Sequence, residues 1–325
     1  HYYDSANNRS KVQPLKKIRI KAAFGGTTYI IFSGFVENFP ANYPGQGTDA
    51  EVKIKCVDAF KLFNNVTLDG FGWVLGTSTL GVSTRLSLTQ AQELSSVRAK
   101  NILDSFGYTE QQISTGQLQV QTQPSTDTVL AALRAVEKAE NGTFFIAADG
   151  KATFRDRNFR LTNTTTPAAT FGQGVGELNY ADIKTSFDDD KIVNTVQRTR
   201  TGGTKQTAFS SDSINRFGSN ILVQSGTLNV SDTDVLSIAN QLVVANDIPQ
   251  TRIESLSFTP KSNTSLWSKA LGLDLGSFVE AKVTTGSGTV ETFELFIERI
   301  KHTVDAQTKT WNWFIGLSPA ETGAW

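Results

Sequence analysis

The chain has 325 residues, and its 31 Lys and Arg balance 31 Asp and Glu to a formal net charge of zero at pH 7. That length exceeds what one hydrophobic core usually supports, so two to three domains are expected. The dispersed, balanced charge excludes a basic stripe for nucleic acid and a polybasic membrane-surface segment.

A single cysteine, Cys56, excludes an internal disulfide framework and a thiolate metal cluster. No apolar run is long enough to span a membrane and no signal peptide is visible, so no stable membrane insertion is expected. Methionine is absent, and residues upstream of His1 are therefore expected.

After a polar lead-in, Ile18 to Ala22 and Thr28 to Phe35 read as a strand pair turning at Gly25-Gly26. Pro40, Pro44, Gly45 and Gly47 break the next stretch into a loop. Glu51 to Val57 resumes a strand whose alternation places Cys56 on the apolar side as a core residue. A short helical turn follows at Asp58 to Phe63.

The period changes to that of a helix from Thr89, a plausible N-cap, to Phe106, with Gly107 as the stop. A second helix begins near Ser125-Thr126-Asp127 and ends at Asn141-Gly142. Asp149-Gly150, between the apolar runs Thr143 to Ala148 and Ala152 to Arg155, is a strong hairpin signal.

From Asn158 to Ser231 the composition is rich in Thr, Ser and Asn. The regular return of Phe171, Tyr180, Phe187 and Phe209 predicts ordered strands with long loops. A third helix, capped by Ser231 or Asp232, runs to Asp247, and Thr251 to Phe258 is a strand.

The chain closes on a meander. Val279, Ala281 and Val283 share one face; Gly286-Ser287-Gly288 turns; Phe293, Leu295 and Ile297 follow. The apolar positions then shift to Phe296 and Ile300, which predicts a bulge near Glu298-Arg299. The last strand puts Trp311, Trp313, Ile315 and Leu317 on one face and Asn312, Phe314 and Gly316 on the other. Apolar residues on both faces predict a second covering surface, which makes Trp311, Trp313 and Phe314 candidate subunit-interface residues.

Catalytic signals are sparse. The histidines are His1 and His302, too few for a histidine metal set, and His302 reads as a hydrogen-bonded rim residue. Asp188-Asp189-Asp190 lacks the spacing of a calcium loop and reads as a solvated turn. Gly172 to Gly176 (GQGVG) lacks the Lys and Ser/Thr of a phosphate-binding loop. No catalytic residue, metal site or cofactor is expected.

Four stretches carry a family likeness: LKKIRIKAAFGGTTYIIFSGFVENFP, VRAKNILDSFGY, AENGTFFIAADGKATFRDR and IERIKHTVDAQTKTWNWFIGLSP. Their succession resembles the minor tail proteins of long-tailed siphophages, which form the tail-tip or baseplate hub. The resemblance implies an α+β, mainly β fold, with tail-tube-like β-barrel domains and an inserted α/β middle domain.

The expected segments are an N-terminal β domain over 1–84 that lacks upstream strands, an α/β domain over 85–157, a Thr/Ser/Asn-rich β segment over 158–230, and a helix with a barrel-like meander over 231–325. The resemblance also implies a non-enzymatic homotrimer at the tail tip of the virion. Its expected partners are a distal tail protein, the tape-measure protein and a tail fibre or spike, with DNA passing through the lumen without sequence-specific contact. The alternatives are a carbohydrate- or receptor-binding tail module using Trp73, Trp267, Trp311 and Trp313, or a cell-wall hydrolase.

Overall fold

The computed structural model describes residues 13–42, 51–68, 91–122, 127–260 and 266–320. β1 (Lys17–Phe24) and β2 (Thr27–Asn38) turn through Gly25 and Gly26, at φ 58° and 80°. Two consecutive left-handed residues give a two-residue hairpin the twist its strands need.

β3 (Ala41–Asn42) pairs with β4 (Glu51–Val52), and β5 (Lys55–Val57) returns to β2, so the sheet order is β1-β2-β5. The expected single strand Glu51 to Val57 is therefore two short ones. Lys53 N donates to the Pro40 carbonyl at 2.9 Å while Cys56 pairs with Val36, and Ile54 between them turns outward. Cys56 is half-buried.

α1 (Phe60–Asn64), β6 (Glu93–Leu94), α2 (Ser95–Phe106), β7 (Gln111–Ile113), β8 (Gln119–Val120), α3 (Val129–Glu140), β9 (Thr143–Ile146) and β10 (Ala152–Arg155) build an α/β unit. Thr89 lies outside the described residues. α2 starts at Ser95 because Leu94 is held extended against Gln119 and Ser95 N donates to the Leu118 carbonyl at 2.9 Å. Thr128 caps α3, its hydroxyl accepting from Ala131 N at 3.1 Å, and Asn141 ends it at φ 57°.

The Asp149-Gly150 turn joins β9 to β10 antiparallel, and β7 adds parallel to β10. The apolar faces of the helices close over this sheet, where Phe63 meets the rings of Phe106 and Tyr108 edge-on at 5.4 and 5.1 Å.

The rest of the chain comprises α4 (Phe159–Thr162), β11 (Ala169–Phe171), β12 (Tyr180–Ser186), β13 (Thr195–Arg200), β14 (Gln206–Phe209), α5 (Ser211–Phe217), β15 (Ile221–Thr227), α6 (Asp232–Asn246), β16 (Arg252–Phe258), α7 (Trp267–Leu271), β17 (Phe278–Thr284), β18 (Val290–Asp305) and β19 (Thr310–Pro319). The Thr/Ser/Asn-rich stretch thus carries strands, as its aromatics predict, although Phe187 and Phe209 themselves are exposed. Ser231 caps α6, accepting from Asp234 N at 3.1 Å.

Six strands form one sheet in the order β11-β17-β18-β19-β16-β12. Laid flat, its edges would stand about 24 Å apart, at about 4.8 Å per strand. Yet Leu178 pairs with Phe171 on one edge, while Tyr180, two residues on, already belongs to the other. Two residues reach about 7 Å, so the sheet must curl until its edges almost meet.

The predicted bulge falls between Ile297 and Arg299, opposite Gly316. A Cβ at Gly316 would come within 3.2 Å of the Arg299 Cβ. Inside the curl lie Phe171, Phe258, Ile297, Trp313 and Ile315. The β1–β2 hairpin covers the open side with Phe24 and Ile31, while Phe35, further along β2, enters the α/β core. The chain is therefore α+β and mainly β.

β14-β13-β15 with α6 across it makes a second α/β unit. Its union with the first packs Leu228 against Val120 and Ala139, with buried polar groups beside them at the end of α3. Glu140, fully buried at the end of α3, ties the first unit together at this end, accepting from Ser95 Oγ at 2.6 Å, Gln117 N at 2.9 Å and Leu118 N at 3.1 Å. Arg198 of β13 donates to the Lys138 carbonyl, and Asn229 Nδ2 donates to the Ala139 carbonyl at 2.9 Å. A cation and an amide thus satisfy carbonyls at the C-terminal end of α3, where the helix dipole favours positive charge.

Trp313→Ala is expected to lower the unfolding free energy by about 3–5 kcal/mol, the cost of a large core cavity. Phe314→Ala, on the opposite face, should change it by less than about 1 kcal/mol. Urea unfolding of the two variants checks both, and a larger loss at Phe314 would show that the covered face has been misassigned.

Candidate interaction surfaces

Of the aromatic residues nominated by the sequence, Trp267, Trp311 and Trp313 gather at one mouth of the barrel. Trp313 is fully buried and stacks on Phe258 at 5.3 Å and on Trp311 at 4.8 Å. Trp267, placed by α7, meets both Trp311 and Trp313 edge-on, at 5.7 and 5.3 Å. Trp73 lies outside the described residues.

Trp313 therefore presents no surface of its own, whereas Trp311 is half-buried and Phe314 is 38% exposed. Trp267, Trp311, Val304, Asp305 and Lys309 line a mostly apolar slot of about 250 Å³ at this mouth.

His302 is tied to the cluster, its Nδ1 accepting from Trp311 Nε1 at 3.2 Å. Burial pulls the imidazole below its usual range, because a charged ring there would lose water. His302 also borders a cleft of about 260 Å³ shared with Ser33, Asp58, Ala148 and Asp274. Asp274 accepts from Ala148 N at 2.9 Å and from Leu275 N at 2.7 Å, which clasps the barrel to the β9–β10 hairpin. Burial raises its carboxyl above the usual range, against those two hydrogen bonds.

The other chemical candidates are engaged locally or lie open to solvent. In the Gly172 to Gly176 loop, Gly174 N already donates to Glu177 at 2.6 Å, and Glu177 pairs with Lys282 at 2.7 Å, so a carboxylate stands where a phosphate would. Asp188, Asp189 and Asp190 are exposed, and the Asp189 carbonyl accepts from Ile192 N at 3.0 Å.

Burial pushes the Cys56 thiol up, away from the reactive thiolate. Among the described residues no group of three or more His, Cys, Asp or Glu is placed to hold a metal, and no helix is long and apolar enough to cross a membrane.

One surface was missed by sequence reasoning. Beyond the bulge, Arg299 and Lys301 point out of the barrel and, with Phe314, border a groove of about 310 Å³. The signal was present in the shift of register, which moves both cations to the Phe314 side.

No family model and no curated protein matches the sequence. Solved structures do resemble the fold. A tail protein from Neisseria meningitidis is 10% identical, with a TM-score of 0.59 over 93% of this chain and 87% of its own. The 43 kDa tail protein of prophage MuSo2 from Shewanella oneidensis is 12% identical, with a TM-score of 0.55 over 98% of this chain and 86% of its own. A prophage tail protein from Listeria monocytogenes is 10% identical, with a TM-score of 0.50 over 92% of this chain and 84% of its own. The chain shares the fold of phage tail proteins.

A folded-state histidine held below its unfolded value of about 6.5 adds stability above that pH, and the contribution is lost as pH falls through the lowered value. Thermal unfolding should therefore show stability falling on the acid side of neutrality. In His302→Gln, which keeps a side-chain acceptor but cannot titrate, that slope should flatten. An unchanged slope would remove His302 as its source.

Proposed function

We propose that this chain is a structural component of a phage tail tip, a homotrimeric baseplate-hub subunit of a siphophage-type tail that rings the lumen. The carrying observation is the likeness of fold to tail proteins along nearly the whole length of both chains. Covered interface area, not turnover, is the work of such a part. The curled sheet forms the wall around the lumen, and the two α/β units sit outside it.

β1, an edge strand of its three-stranded sheet, is where upstream residues or a neighbouring subunit complete the N-terminal β domain. Trp311 and Phe314 are the contact residues on the mouth and wall of the barrel. The distal tail protein, the tape-measure protein and a fibre or spike are the neighbours this reading assigns, and DNA crosses the lumen without sequence-specific contact.

The slot of Trp267 and Trp311 favours a second reading, in which the same tail component engages a host saccharide by aromatic stacking. Electron microscopy and native mass spectrometry of the purified protein should show a closed ring of three copies with a central channel. A monomer at every concentration would overturn the hub reading. Retention of a cell-surface glycan, lost in Trp311→Ala, would establish the second.

A further inference from the structure

The groove beside Phe314 on the outer wall of the barrel is lined by Ser257, Arg299, Lys301, Thr303 and Asn312, with no acid among them. Phe314 stands opposite Lys301 on β18 and Ser257 on β16. The Arg299 guanidinium lies 5.8 Å from the Phe314 ring centroid. No ion pair of the described residues involves Arg299 or Lys301. The adjacent acid, Glu298, is taken by Arg160 and Ser318. The groove therefore presents two free positive charges around an exposed aromatic ring.

The opposite chemistry lies at the end of β12. β12 runs out at Ser186 into Phe187, 68% exposed, followed by the exposed Asp188, Asp189 and Asp190. An exposed aromatic beside three carboxylates complements an exposed aromatic beside two free cations in charge and in apolar character.

The loop does not reach its own groove. Ser186 pairs with Arg252, whereas Phe314 pairs with Ser257. Five residues of β16 separate the two levels, about 17 Å at strand rise, with two strand spacings of about 5 Å to cross as well.

We propose that the groove of Arg299, Lys301 and Phe314 is a docking surface for a second copy of this chain, which seats its Phe187-Asp188-Asp189-Asp190 loop there. The inference rests on the ring reading above and names its contact. Loop and groove are different patches, so the contact is head-to-tail, and a head-to-tail contact closes into a ring when its rotation permits. Phe187 packs against Phe314, and the aspartates replace water around Arg299 and Lys301. The pairing is salt-sensitive, because both sets of charges sit near solvent.

The test uses the full chain carrying Arg299→Glu with Lys301→Glu, Asp188→Lys with Asp189→Lys, and all four together. Mass is measured by sedimentation at low and high salt, with circular dichroism to confirm folding. Each charge reversal alone should weaken association by tenfold or more, and the quadruple variant should regain it. Phe187→Ala, which changes no charge, should weaken it as well.

A wild-type chain that forms no oligomer overturns the ring reading and the contact together. An oligomer that ignores both reversals overturns the contact and leaves the ring. If the groove reversal leaves the oligomer intact but abolishes retention on heparin, the groove serves a polyanion and the contact is wrong.

Discussion

The enclosure of Trp313 is the packing event on which the architecture depends. A six-stranded sheet has no reason to curl unless something inside repays the strain, and here a stack of Phe258, Trp313 and Trp311 fills the interior. The curl brings β11 beside β12 and lets the short segment from Gly172 to Asn179 close the circuit. It also leaves an open side, which explains why the first hairpin is amphipathic along its length. Phe24 and Ile31 lean on the barrel, while Phe35, further along β2, belongs to the neighbouring α/β core. One long strand thus joins two hydrophobic cores that share no cluster of their own, and the Asp274 clasp ties them a second time.

The end of α3, where the two α/β units meet, is organised by different physics. Glu140 satisfies its carboxylate with a hydroxyl and backbone amides from α2 and the loop before β8. Arg198 reaches the end of the same helix from the second unit, and burial with a neighbouring Arg157 pushes its guanidinium down to about 10. A buried polar junction of this kind adds little net stability but admits few alternative geometries, since any slip strands a charge away from water. Apolar surfaces set how strongly these pieces adhere, and the junction sets their relative orientation.

Local features were largely legible in the sequence. The Gly25-Gly26 turn, the Asp149-Gly150 hairpin, the Ser231 cap and the bulge after Ile297 each follow from a few adjacent residues, and the structure contains them all. The start of α2 did not follow, because helical periodicity says nothing about Gln119, the residue that holds Leu94 extended. The parallel pairing of β11 with β17 joins Ala169 to Val279 and was equally out of reach, since no local pattern links residues so far apart in the chain. At the candidate surfaces, alternation placed Trp313 and Phe314 on opposite faces. It could not say which face was interior, and only the packed barrel distinguishes the core tryptophan from the exposed phenylalanine.

The second α/β unit leaves the barrel after Ser186 and returns at Arg252, and those two residues are direct partners across one rung of the β12–β16 ladder. Everything from Phe187 to Thr251 is therefore, in topological terms, the loop of an oversized hairpin. Closing such a loop costs only about 0.6 kcal/mol more for each doubling of its length. The barrel is thus nearly indifferent to the size of what is carried there. A lineage could exchange this cassette for a shorter or longer one while the strands of the barrel behind it kept their pairing.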